Sequence, residues 1–143
     1  MRTRVFALLL GIGFLIGGIL GFVPRLVIIP PDQPPMIVGA SHGLLLGLFP
    51  VNAVHNAVHL LFGVWGVVVW RSFAASRTYC RSVAIIYAVA TVLGLIPDAN
   101  TLFGVMPLQG LDVPLHAVIA IVAAYFGYAA IPAVESGPAI RRP

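Results

Sequence analysis

Four long apolar runs divide the chain, at about residues 5–23, 51–70, 82–96 and 113–131. Each approaches the roughly 20 residues a helix needs to cross a bilayer. The third is the shortest, about 22 Å at ~1.5 Å per residue, so residues 79–81 are expected to lengthen it by snorkelling. Pro24, Pro50, Pro97 and Pro132 stand at run ends, where a missing backbone N–H does least harm. A fifth apolar stretch, about 36–49, is shorter, rich in glycine and runs directly into Pro50. With no room for a polar turn before the second span, it is expected to be a re-entrant or interfacial segment. Ahead of it, IIPPDQPP is expected to be a stiff extended loop. The pattern predicts an all-α membrane protein: one domain over residues 1–143, a four-helix transmembrane bundle.

Polar and small residues interrupt these runs at helical spacing. On the second span Asn52, His55, Asn56, His59, Gly63 and Gly66 fall on one stripe about 100° wide. Asp112, His116, Ala120, Ala123, Gly127 and Ala130 repeat the design on the fourth. Ala84, Tyr87, Thr91, Gly94 and Asp98 do so on the third, and Gly11, Gly17, Gly18 and Gly21 crowd the first. Small residues let helix backbones approach closely in lipid, where no hydrophobic force drives association. Gly17, Gly21, Gly63, Gly66, Gly94 and Gly127 are therefore the expected packing positions, and the stripes are expected to face one another.

Composition removes the soluble alternative. Hydrophobic residues make up 60% of the chain and charged residues 8%, with a mean hydropathy of +1.05. A soluble domain carries about 25% charged residues, so the partner implied is the lipid bilayer, and nucleic acid is not. The net charge of +4 comes from arginine alone. Arg2, Arg4, Arg71, Arg77, Arg81, Arg141 and Arg142 fall on one side of the predicted spans and Arg25 on the other, which predicts cytoplasmic termini (N-in/C-in). The first run is longer than a signal-peptide core of about 7–15 residues, so it is expected to be a retained span. The single cysteine, Cys80, allows no intramolecular disulfide and no cysteine metal cluster.

The candidate chemistry lies at the non-cytoplasmic end. His42, Asn52, His55, Asn56, His59, Asp112 and His116 are expected to gather there, with Asp98 and Asn100 nearby. A buried, unpaired polar group costs several kcal/mol in hydrocarbon, so this cluster must face protein, cofactor or water. Several functions remain open at this point. The side chains can be interhelical hydrogen bonds in a structural protein, or in an accessory subunit of a larger membrane complex. His59 and His116, helped by His55 or His42, can hold a transition metal. One histidine can be the axial ligand of a haem or chlorophyll, with the glycines opposite making room. Proton or small-solute handling is a further reading, although no charged residue lies at mid-depth. No catalytic constellation stands out. In each case His59 is expected within reach of His116, His55 to be the wetter residue, and Asp112 to cap the fourth helix and hold His116.

The motifs NAVHNAVHLLFGVWG (Asn52 to Gly66) and DVPLH (Asp112 to His116) resemble the small four-helix membrane proteins grouped as domain of unknown function 4383. That resemblance implies a bacterial multi-pass protein of the cytoplasmic membrane, or of a thylakoid in a cyanobacterium. It implies no particular activity.

Overall fold

The computed structural model describes residues 2–32 and 34–129. Ala130, Arg141 and Arg142, used in the sequence reading, lie outside them. Four helices carry the fold: α1 (Arg2–Leu20), α2 (Ala53–Val69), α3 (Phe73–Leu95) and α4 (Asp112–Ala124), the last continued by a π-helical turn, Tyr125–Ala129. Among the described residues three helices are long and apolar enough to cross a membrane: α1, α3 and α4 with its π turn. The apolar helix α2 is shorter, at 17 residues.

Two antiparallel pairs, α1 with α2 and α3 with α4, make up the bundle. Glycine sets the distance in the first pair. A Cβ built on Gly11 would lie 2.8 Å from the Val67 backbone nitrogen, one on Gly63 2.8 Å from that of Leu15, and one on Gly66 2.8 Å from the Ala7 carbonyl oxygen. Backbone therefore meets backbone, as the small-residue stripes predict. Gly127 likewise lies against the Arg81 backbone, and Gly94 against the Leu108 carbonyl and Val113. Gly21 makes room for the Asn56 side chain. Gly17 differs from expectation: its Cβ would meet only His59 Nδ1, at 3.8 Å, so no helix is packed on it.

The third helix corrects the predicted boundary at residue 82. It starts at Phe73, where the Ser72 hydroxyl accepts the Ala75 N–H at 3.3 Å. Arg77 and Arg81 thus lie within the helix, not in a loop. Both donate from Nε to the Gly127 carbonyl, at 2.9 and 2.8 Å, and the Arg81 guanidinium stands over the Tyr128 ring. Their charge is met by carbonyls at the end of α4, while their stems run along apolar surface.

An all-α description also needs amending. A small antiparallel sheet, ordered β1 (Val27–Ile28), β2 (Gly43–Leu45) and β3 (Phe49–Val51), occupies part of the segment read as re-entrant or interfacial. Its register pairs Val27 with Leu45 and Gly43 with Val51. A Cβ on Gly43 would strike the Ile28 carbonyl at 2.6 Å, so the sheet needs glycine there. Strands of two or three residues are too short for an alternating pattern to register in sequence. The loops before β2 and between α3 and α4 are tied to the start of α2 by Asn52, whose Nδ2 donates to the carbonyls of Val38 (3.0 Å) and Val105 (2.8 Å). Ile37 N–H also donates to the Gly104 carbonyl at 2.8 Å. One end of the bundle is therefore roofed by the sheet and two loops.

Candidate metal centre

Beneath that roof α2 and α4 bring three histidines together. Asn52 caps α2, its Oδ1 accepting the His55 N–H at 2.9 Å, which sets where the helix begins. One turn separates His55 from His59, so both project from one face. On α4 the same logic turns Asp112 and His116 inward, both on its buried face. Each of His55, His59 and His116 offers a ring nitrogen within 4.8 Å of those of the other two. The His55 and His59 rings are 4.4 Å apart, His55 and His116 6.2 Å. The expected meeting of His59 with His116 is present in this geometry, with His55 as the third member.

Aromatic rings hold the imidazoles in orientation. Phe14 stacks on His59 at 5.3 Å, and Tyr87 meets His116 edge-on at 5.0 Å. Tyr87 belongs to the small-residue stripe of α3; Phe14 carried no signal of this contact, being one of many apolar residues in its run.

Several expectations about individual side chains are overturned. His55 is only 3% exposed whereas His59 is partly exposed, because the roof closes over the helix end and a cavity opens lower down. Asp112 makes no side-chain cap. Its Oδ2 lies 3.7 Å from His55 Nδ1, not against His116. His42 sits apart, in a recess with Gly21, Phe22, Pro24, Ser41 and neighbouring loop residues, and partial burial holds its imidazole below the ordinary histidine range. Asp98 is exposed, outside the buried cluster.

The hydrogen-bond inventory separates the open readings. Asn52 is interhelical and loop glue, as above. In the histidine cluster, His55 Nδ1, His116 Nδ1 and Asp112 Oδ2 are buried with no hydrogen-bond partner among the described residues, as are both polar atoms of the Asn56 side chain, while the Pro107 backbone stands beside His55. Gly63 and Gly66 are packed against α1 and open no slot for a macrocycle, whereas Gly13 and Gly17 border a cavity that the histidines also line.

Three imidazoles and a neighbouring carboxylate form a donor set that suits zinc, copper or nickel. In a tetrahedral site with bonds of 2.0–2.1 Å, donor nitrogens stand ~3.3 Å apart, so small ring rotations would close the trio on an ion. Asp112, behind His55, would be placed to orient that ring as carboxylates behind ligating histidines do.

Comparison with known proteins agrees with the motif reading. The family described as Domain of unknown function (DUF4383) matches residues 4–129, from the first turn of α1 to the end of the π turn. The chain belongs to the DUF4383 family. No curated protein and no solved structure matches it. The DUF4383 match takes in all three histidines and Asp112, while the family's description carries no activity.

Proposed function

We propose that this DUF4383 protein is a four-span protein of the bacterial cytoplasmic membrane that holds one first-row transition-metal ion through His55, His59 and His116. The observation that carries this reading is the convergence of three ring nitrogens within 4.8 Å inside the bundle, two of the rings having a buried nitrogen that nothing else satisfies. Buried polar groups without partners are rare in folded proteins, and a bound ion is one of the standard explanations. Coordination would lock α2 to α4, a pair otherwise sharing few close approaches.

The test is elemental analysis of protein purified gently from membranes without chelators. About one zinc, copper or nickel per chain, retained through dialysis and lost with a strong chelator, is the expected result. Metal-free protein that also fails to take up any of these ions would end the proposal.

Both termini are assigned to the cytoplasm from the arginine distribution, which puts the histidine cluster at the opposite face. Ser72 and Asp32 are exposed at the two ends, and Cys80 is buried. In a Cys80→Ser background, a cysteine at Asp32 should react with an impermeant thiol reagent in intact cells. One at Ser72 should react only after lysis, and the opposite pattern would invert the topology.

A further inference from the structure

The two helix pairs do not close evenly. At the arginine end α1 and α4 are joined: Phe6 stacks on Phe126 at 4.3 Å, and the Thr3 hydroxyl donates to the Phe126 carbonyl. Towards the sheet end they part. The space between them is a cavity of about 350 Å³, at the lower end of the ~300–1,000 Å³ range of small-molecule clefts. Leu10 and Phe14 line it from α1, Leu115 and Ile119 from α4, and Leu45 and Phe49 from the sheet. Its inner end is His55, His59, His116 and Asp112.

Three features bear on what it takes. The walls are apolar, and Gly13, Ile16 and Leu115, which line the cavity, are exposed on two helices apolar enough to span a bilayer, where lipid tails would meet them. His55, His116 and Asp112 are each at least nine-tenths buried, at 3%, 4% and 2% exposure, and each presents a polar atom without a partner. Leu46, in the hairpin turn between β2 and β3 where it and Gly47 take the positive φ such turns require, adds an exposed apolar side chain to the lining.

We infer that this cavity is a lateral binding site for a long-chain carboxylate drawn from the bilayer, with the tail between α1 and α4 and the carboxylate at the histidine cluster. The tail assignment stands on the cavity alone; the choice of head group rests on the proposed metal. A divalent ion on three neutral imidazoles brings two positive charges into apolar surroundings. Uncompensated charge there is costly, and a carboxylate on the remaining coordination position offsets part of it. Lipid itself supplies such molecules in the plane of the membrane.

Gly13 gives a way to test this without touching the histidines. It lines the cavity, and a Cβ built on it meets nothing within 4 Å, so Gly13→Trp fills the tail site at little cost to folding. Leu115→Trp blocks the opposite wall and serves if Gly13→Trp fails to fold. Protein in nanodiscs is mixed with doxyl-stearate, and the immobilised fraction is read by electron paramagnetic resonance, with doxyl-phosphatidylcholine reporting ordinary boundary lipid. Immobilisation of the acid beyond that of the phospholipid, competed by myristate and less well by myristyl alcohol, is expected. Gly13→Trp should weaken it by about tenfold, as displacing roughly two buried methylenes would, with metal content unchanged.

Equal immobilisation of acid and phospholipid, or of wild type and the blocking variant, overturns the inference while leaving the metal centre standing. Equal competition by the alcohol overturns the head-group assignment. Acid binding that is sensitive to Gly13→Trp in a protein that takes up no metal overturns the metal centre and upholds the cavity as the tail site.

Discussion

His116→Ala should leave a DUF4383 protein that folds but holds zinc or copper at least about 100-fold more weakly than wild type. The magnitude follows from the ligands' environment: loss of a mere supporting contact behind a ligand costs 10–100-fold in affinity, and His116 is assigned as a ligand itself. It is also the one member of the trio on α4, so its loss leaves His55 and His59 on a single helix with nothing to bridge to. Asp112→Asn, which keeps the shape but removes the charge beside His55 Nδ1, should weaken binding by about tenfold. Binding should also fall as pH is lowered, because only the neutral imidazole coordinates and protons compete with the ion. Isothermal titration with each ion, alongside a thermal melt to confirm folding, measures all three effects. Wild-type affinity in His116→Ala would remove the metal centre from consideration.

Gly63→Leu should have the largest effect on folding itself. The Cβ of Gly63 would lie 2.6 Å from Leu15 Cγ and 2.8 Å from the Leu15 backbone nitrogen. A side chain can rotate away, but a helix backbone cannot, so α1 and α2 must move apart. Overpacking a tight core typically costs 1–3 kcal/mol, occasionally more, and forced separation of two helices along their length puts this case at about 3 kcal/mol or above. Two controls separate close approach from a general intolerance of change. Ile85→Leu lies on an exposed face of α3 and should melt as wild type does. Gly17→Ala adds a methyl that meets only His59 Nδ1 at 3.8 Å and should be tolerated too. Detergent-solubilised protein followed by size exclusion and thermal melting reads out all of them, and indistinguishable behaviour of Gly63→Leu and Ile85→Leu would defeat the packing account.

The number of helices, their buried faces and most of the polar cluster, His42 and Asp98 excepted, were legible in the order of residues. Helical periodicity is a local property: Asn52, His55, Asn56, His59, Gly63 and Gly66 share a face because of the pitch of a single helix, whatever packs against it. In lipid, a polar or glycine stripe has few other places to go than inward. For the same reason Ala120, Ala123 and Gly127 could be assigned to the interior, and they are buried.

Apart from the meeting of His59 with His116, the detailed relations between distant segments were not legible, since they depend on how those helices meet. Asp112 is one turn from His116 in sequence, yet its carboxylate lies by His55, because the approach of α4 to α2 decides which ring it reaches. His55, one turn nearer the end of its helix, is more buried than His59, at an end of the bundle that loops distant in sequence close through Asn52. The start of α3, ahead of the extension expected at 79–81, escaped a hydropathy argument because Arg77 reads as loop until the Gly127 carbonyl is there to receive it. The strands 27–28, 43–45 and 49–51 are too short for any period, and the cavity between α1 and α4 belongs to no segment at all. Local pitch writes a face into the chain; which faces meet, and what space they leave between them, is settled only when the helices pack.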